Sequence, residues 1–159
     1  MSLTIGILCG ASASLELRGQ GCTLTIGFWK NHPNQWPVQT ISIGGVTYTK
    51  QQAIDILQNA NASDATYALA AQLIAAKLNV LNGASDTAIA ATIVSADAFL
   101  VANPLGSNPK GQTRTQGLAL KDTLDQYNNG LIGPGHCGDL PPFVTATPTP
   151  THTPSANMP

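Results

Sequence analysis

Two cysteines bracket almost everything in this 159-residue chain that looks able to fold. Cys22 stands near the start of the segment Gly-Cys-Thr-Leu-Thr-Ile-Gly-Phe-Trp-Lys, and Cys137 lies near the end of Gly-Pro-Gly-His-Cys-Gly. A disulfide between them would close a loop of roughly 115 residues, which the chain-entropy model values at about 4–5 kcal/mol. Such a bond persists only in an oxidising compartment. The pairing predicts a secreted, extracellular or cell-surface protein. The alternative is two unrelated buried thiols.

The first 20 residues allow two interpretations. Residues 1–10 are apolar and Ala-Ser-Ala at 11–13 resembles a signal-peptide cleavage site, yet no Lys or Arg precedes the apolar run. Cleavage would remove Cys9, whereas retention would leave it free or crosslinked to a neighbour. A retained segment would contain two strand-like runs. Their apolar positions are Leu3, Ile5, Ile7, Leu15 and Leu17. We therefore expect either a leader remnant or an N-terminal strand that pairs with another subunit.

Charge and hydropathy argue against a nucleic-acid partner and against a membrane-spanning segment. Charged residues make up 9% of the chain and the formal net charge is −1, so there is no electrostatic argument for a nucleic-acid partner. No apolar run approaches the 18 or so residues of a membrane span, so we expect no transmembrane segment. A surface built from Thr, Ser, Asn and Gln suits an extracellular protein or a packed assembly better than a cytosolic enzyme.

The residue pattern predicts a mainly α-helical module over residues 21–140, with about four helices and one β-hairpin. Two β-rich runs flank Gly44-Gly45 and predict the hairpin. Residues 22–27 alternate as in a strand, and a short turn or helix follows before Pro33. Caps and helical spacing predict the four helices over residues 50–59, from 63 or 64 to 81, from after Ser85 to 100, and 113–128.

The composition changes after residue 140. Residues 141–159 are rich in Thr and Pro, which cannot build a core and favour extended polyproline II geometry. This tail is typical of a stalk or linker; the alternative is a frayed terminus without a role. The sequon at Asn61 is a candidate for N-glycosylation. Candidate O-glycosylation positions in the tail are Thr147, Thr149, Thr151 and Thr153.

Several motifs occur together in the module. They are Cys22-Thr23-x-Thr25-x-Gly27-Phe28-Trp29-Lys30-x-His32-Pro33, Trp36-Pro37, Gly45-Val46-Thr47-Tyr48-Thr49-Lys50, Gln72 to Asn79, and Tyr127-Asn128-Asn129-Gly130-Leu131-Ile132-Gly133-Pro134-Gly135-His136-Cys137. In combination they resemble a Cys-bracketed module of secreted bacterial multidomain surface proteins. The resemblance covers residues 22–137. It implies an extracellular building block, often beside a Thr/Pro stalk, with no established activity. The chain departs from the pattern at Ala71, where a His is expected.

No pattern of residues indicates an enzyme, a cofactor or a metal. Residue types alone would allow a zinc site, but His136 and Cys137 are adjacent and no metal-ligand spacing is present. The residues that could form such a zinc site by type are Cys22, His32, His136 and Cys137. A disulfide-bonded sulfur is not a nucleophile. Asp122 and Asp125, beside Lys121, are interpreted as a solvated helix face.

Two functions of different classes remain. The first is an extracellular structural subunit that associates with itself, in which the N-terminal strand adds to a sheet edge of a neighbouring copy. Head-to-tail addition of this kind produces filaments. The alternative is a monomeric adhesin-like module on a Thr/Pro stalk, with Trp29 and Trp36 as an aromatic platform for surface glycans. Because aromatic residues are only 5% of the chain, we expect both tryptophans to pack in the core instead.

Overall fold

A computed structural model describes residues 21–60 and 63–138 of the chain. These residues form five α-helices and one antiparallel β-hairpin. The helices are α1 Ile26–Asn31, α2 Lys50–Gln58, α3 Ala65–Leu81, α4 Ala90–Ala102 and α5 Gly111–Asn128, and the strands are β1 Thr40–Ile43 and β2 Val46–Thr49. A single 3₁₀ turn, Pro33–Gln35, follows α1. The predicted fold class, mainly helical with a hairpin and a disulfide from front to back, is confirmed.

Side-chain caps begin two of the main helices where the sequence predicted them. Thr49 Oγ1 accepts from the Gln52 backbone N–H, and Gln52 Oε1 accepts from the Thr49 N–H, which completes a capping box at the start of α2. Asp64 caps α3 by accepting from the Thr66 N–H at 2.9 Å. These caps replace intrahelical partners that the first turn of a helix lacks.

Helix α3 is the centre of the core. It packs against α5, α2, α4 and α1, and Lys77, Tyr67, Val80 and Leu81 are its only residues that are not buried. Its many alanines let the neighbouring helices approach closely, and Ala71 is fully buried among them. An almost completely enclosed helix explains why its apolar pattern is not confined to one face.

The structure differs from the sequence prediction at three places. Residues 22–27 are not a strand, because Thr25 caps a helix that begins at Ile26, and only Thr23 pairs, in a parallel bridge with His136. Helix α4 begins at Ala90, and Ser85 instead accepts from the Thr87 N–H in the preceding turn. Helix α5 begins at Gly111, two residues before the predicted start, and ends at Asn128 as predicted. Local side-chain hydrogen bonds decided the first two boundaries.

The tip of the hairpin is tied to the helices by a charged pair. Lys77 Nζ on α3 donates to Asp97 Oδ2 on α4 at 2.6 Å and to the Ser42 carbonyl at 2.7 Å. Asp97 Oδ1 accepts from the Gly44 N–H at 2.9 Å. Gly44 and Gly45 both have positive φ, +55° and +74°, as a type I′ turn requires. The hairpin therefore closes over α3 and α4 with its turn against Leu100.

Replacing Gly44 by Ala is expected to destabilise the protein by about 2–5 kcal/mol, from left-handed strain plus overpacking. A Cβ at Gly44 would lie 2.7 Å from Leu100 Cβ, whereas one at Gly45 would lie 3.6 Å from Val101 Cγ2, an ordinary contact. Gly45→Ala is thus a matched control that has the strain without the overlap, and we expect it to cost about 1–2 kcal/mol. Urea denaturation of both variants measures the difference. Equal losses would show that the contact with Leu100 relaxes freely.

None of the helices in the described residues is both long and apolar enough to cross a membrane.

Candidate functional site

The two ends of the described body meet at one junction. Cys22 and Cys137 form a disulfide with Cα atoms 4.8 Å apart, as the sequence predicted. Beside it the Thr23 N–H donates to the Gly135 carbonyl at 2.8 Å, and the Cys137 N–H donates to the Thr23 carbonyl at 3.0 Å. Both flanking segments, residues 1–20 and 139–159, are therefore attached to the body side by side.

A glycine allows the junction to close. Gly130 follows α5 with φ +72°, and a Cβ there would overlap the backbone N of His136. The loop that carries Cys137 can fold back onto the end of α5 only because residue 130 has no side chain. The resembling motif around Asn129-Gly130-Leu131 thus has a structural role here.

A buried amide network joins the junction to the helices. Asn79 on α3 is fully buried, and its Oδ1 accepts from the Leu24 N–H at 2.9 Å and from Trp29 Nε1 at 3.0 Å. Its Nδ2 donates to the Leu24 carbonyl and to Asn128 Oδ1, both at 2.9 Å. One side chain therefore links α1, α3 and α5 with all four hydrogen-bonding positions occupied.

The network continues from the core to the surface. Asn128 Nδ2 donates to the Gln72 carbonyl and to Gln72 Oε1, and Gln72 Nε2 donates to Asp125 Oδ1 at 2.8 Å. Asp125 also accepts from the exposed Asn129. Asp125 is therefore a partner of the buried network, while Asp122 is exposed and pairs with Lys121 at 2.7 Å. Only Asp122 matches the predicted solvated face.

Both tryptophans lie in the core, so neither forms the aromatic platform that the sequence allowed. Trp29 is 0% and Trp36 6% exposed. Trp36 Nε1 donates to the Trp29 carbonyl at 2.8 Å, and the Trp29 ring meets Phe28 edge to face. Their indole N–H groups are satisfied inside the protein and their faces are covered by apolar neighbours, which leaves no ring surface for a sugar.

The two histidines of the module make local contacts. His32 stacks on Phe28, with ring centres 4.3 Å apart, and its Nδ1 lies 2.9 Å from the Phe28 carbonyl oxygen. His136 Nδ1 accepts from the Gly138 N–H at 3.1 Å. Within residues 21–60 and 63–138, no group of three His, Cys, Asp or Glu side chains is arranged to hold a metal ion.

Tyr127 is the described group whose titration is most perturbed. Its side chain is buried, and its hydroxyl donates to the Ser85 carbonyl at 2.8 Å. Burial, with a smaller contribution from the Asp86 carboxylate, raises the pKa of Tyr127 to about 12. The phenol therefore keeps its proton at neutral pH and fastens the end of α5 to the turn before α4.

A shallow groove of about 510 Å³ follows the seam between α4 and α5. Its apolar lining is Phe99, Ala119 and Leu120, and its polar lining is Thr92, Ser95, Gln116 and Thr123. The Phe99 ring lies over Gly117, where a Cβ would be 2.8 Å from Phe99 Cζ. No lining residue is charged. A groove lined by both apolar and uncharged polar side chains can bind an uncharged extended segment.

The outer face of α4 beside the groove is unusually apolar. Its exposed positions are Ala90, Ala91, Val94, Ser95, Ala98, Val101 and Ala102. Val94 and Val101 are 69% and 61% exposed. By contrast, the exposed positions of α2 are Gln51, Gln52, Asp55 and Gln58. Contiguous apolar residues on a solvent-facing helix indicate an interaction surface.

Several residues singled out in the sequence lie outside the described residues. They are the strand candidates Leu3, Ile5, Ile7, Leu15 and Leu17, and the glycosylation candidates Asn61, Thr147, Thr149, Thr151 and Thr153. Sequence reasoning also missed the Asn79 network and the groove. Asn79, an amide near the end of the mainly apolar α3, was the available signal for the network. The Ala/Val composition of α4 signals its apolar outer face, whereas the groove itself is lined on α4 by Thr92, Ser95 and Phe99 and has no comparable signal.

Comparison of the chain with protein-family models, with curated proteins and with solved structures found no match.

Proposed function

We propose that this chain is a structural subunit of an extracellular assembly and that it associates with itself through residues 1–18. The observation that carries the proposal is the junction at Cys22–Cys137, which holds both flanking segments at one point of the body. An apolar segment attached to a stably closed body can bind a neighbouring copy by main-chain hydrogen bonds and apolar contacts. Repeated addition in one direction gives filaments.

The same bond supports an extracellular location. A disulfide that closes a 115-residue separation persists where cellular reductants are absent. We therefore place the protein outside the cell or on its surface, with the Thr/Pro tail as a stalk or linker that carries glycans on its threonines.

The interior supports an architectural role over a catalytic one. Every buried side-chain nitrogen or oxygen among the described residues has a hydrogen-bond partner. Three side-chain amides form hydrogen bonds with one another and are therefore not available to a substrate. They are Gln72, Asn79 and Asn128. A fully satisfied polar network rigidifies a core and specifies one arrangement of its helices.

Deletion of residues 1–18 is expected to abolish polymers that the full-length protein forms. The deletion removes the apolar strand-like runs but leaves Cys22 and the whole described body. Negative-stain electron microscopy and size-exclusion chromatography of both proteins, purified from the culture medium, measure the effect. Deletion of residues 145–159 is the control, and we expect it to leave the polymers intact.

The monomer alternative predicts a different result. Full-length protein that stays monomeric at all concentrations would contradict self-association. A glycan-array signal from such a monomer would favour the adhesin-like module, with a binding surface other than the two buried tryptophans.

A further inference from the structure

We propose that the groove between α4 and α5 binds the apolar run at residues 3–8, Leu-Thr-Ile-Gly-Ile-Leu. The inference rests on the proposed function, in which this run comes from a neighbouring subunit, and it names the surface that receives the run. The sequence alone pointed to a sheet edge as the acceptor. The hydrogen bonds of the hairpin make that edge a poor acceptor.

The β2 edge of the hairpin has almost no free backbone group for strand addition, and the β1 edge is partly occupied. In a two-residue hairpin the residues next to the turn form a hydrogen-bonded pair, so the outward backbone groups of β2 belong to Thr47 and Thr49. The Thr49 N–H already donates to Gln52. On β1, the outward Ser42 carbonyl accepts from Lys77. Among the described residues, Thr47 alone remains on the β2 edge, and one residue is too short to bind a strand.

The groove matches the size of a short extended segment. Thr92 and Phe99 lie at its two ends on α4, roughly 10 Å apart at the helical rise of about 1.5 Å per residue. Side chains on one face of an extended chain are spaced by about 6.6 Å, so the groove has room for two of them. Ile5 and Ile7 are such a pair, and Gly6, the residue between them, adds no side chain on the opposite face.

Charge and polarity favour residues 3–8 over the Thr/Pro tail as the segment that binds in the groove. The groove has no charged lining residue, and residues 1–15 have no charged side chain. The Thr/Pro tract at residues 145–154 also has no Asp, Glu, Lys or Arg, but its only apolar residues are Ala and Pro, so it would bring no large aliphatic side chain against Phe99 and Leu120. Burial of two isoleucine side chains stabilises the complex by about 3–6 kcal/mol before ordering costs are subtracted.

The attachment point of the segment lies near one end of the groove. A Cβ placed on Gly133 would lie 3.8 Å from Cβ of Ala88, just before α4, and Gly135 is hydrogen-bonded to Thr23. The groove begins close by, at Thr92 on α4 and Thr123 near the end of α5. Twenty extended residues reach roughly 65 Å. The segment can therefore enter the groove of an adjacent copy from a neighbouring junction.

The native thiol of Cys9, next to the run, provides a direct test in the full-length chain. We expect Ser95→Cys, at the groove rim, to form a disulfide with Cys9 at about tenfold the yield of two exposed controls, because binding raises the effective concentration of the thiols. The controls are Thr47→Cys on the hairpin edge and Thr115→Cys on α5, away from the groove. Peptide mapping by mass spectrometry identifies the crosslink, and Cys9→Ser removes it.

Mixing of ¹⁴N- and ¹⁵N-labelled chains before assembly separates the two proposals. Crosslinks at Ser95→Cys that join a ¹⁴N chain to a ¹⁵N chain, in a protein that polymerises, support both the proposed function and the groove as binding site. Crosslinks confined to one chain, in a protein that stays monomeric, keep the groove as the binding site of the run and contradict the proposed function. The groove proposal is overturned if the polymers depend on residues 1–18 but crosslink at Thr47→Cys as efficiently as at Ser95→Cys or more so. It is also overturned if such polymers crosslink at none of the three positions.

A second variant tests the groove without added thiols. Ala119 is exposed and lines the groove, so Ala119→Arg is expected to fill it while the protein melts at an unchanged temperature. We expect this variant to lose the polymers seen by electron microscopy, whereas Thr115→Arg on the same helix keeps them. Normal polymers from Ala119→Arg would overturn the inference.

Discussion

Loss of the Cys22–Cys137 disulfide is expected to lower the free energy of unfolding by about 4–5 kcal/mol. The bond joins residues 115 positions apart, and its removal returns a large loop-closure entropy to the unfolded chain. For a domain with a total stability of about 5–15 kcal/mol, that loss is a large fraction of the whole. Urea denaturation of the Cys22→Ser/Cys137→Ser variant against the parent protein measures it.

The matched control for this prediction is Cys9→Ser, which removes a thiol and leaves the bond intact. We expect it to unfold at the urea concentration of the parent. Intact-mass analysis after alkylation should find Cys22 and Cys137 blocked in native protein. Two alkylated thiols at these positions, or a stability loss below about 1 kcal/mol, would contradict the role of the bond and with it the extracellular assignment.

Replacing Asn79 by Ala is expected to destabilise the protein by about 3–5 kcal/mol, because it removes the partner of several buried polar groups at once. Trp29 Nε1, the Leu24 N–H, the Leu24 carbonyl and Asn128 Oδ1 all bond to this side chain. Buried groups without a partner cannot recover hydrogen bonds to water. Thermal and urea unfolding report the loss, and near-ultraviolet circular dichroism reports any loosening around Trp29.

Asn129→Ala is the control for the network. Asn129 bonds to Asp125 from an exposed position, so water can replace it, and we expect a change within about 0.5 kcal/mol. A small effect of Asn79→Ala as well would show that the amide network is replaceable by water or by repacking.

Sequence reasoning was most successful where the signal is local. The type I′ turn at Gly44-Gly45 and the capping box at Thr49 each depend on residues within four positions of one another. The strand expected at residues 22–27 was wrong because alternation over six residues is a weak signal, and the Thr25 cap outweighed it. A side-chain hydrogen bond to the first turn of a helix can stabilise it by about 1 kcal/mol, enough to decide a short segment.

The candidate site depended on contacts that no local pattern contains. The low aromatic content favoured the core over a ligand platform for Trp29 and Trp36, but only the packing of the helices shows that both are enclosed. The groove needs Phe99 of α4 over Gly117 of α5, two residues on different helices whose crossing is set by the whole bundle. The apolar outer face of α4 beside the groove is visible in the sequence only as an Ala- and Val-rich helix.

By itself, the amino-acid order of this chain determined the helical class, the hairpin and the pairing of Cys22 with Cys137. Turn chemistry, caps and a crosslink act through short distances along the chain or through a single covalent bond, so they can be read before folding. Only the tertiary structure decided which polar groups are buried, that Asn79 links three helices, and that α4 and α5 leave an uncharged groove. Burial and shape depend on how whole helices pack together, and a linear pattern does not specify that packing.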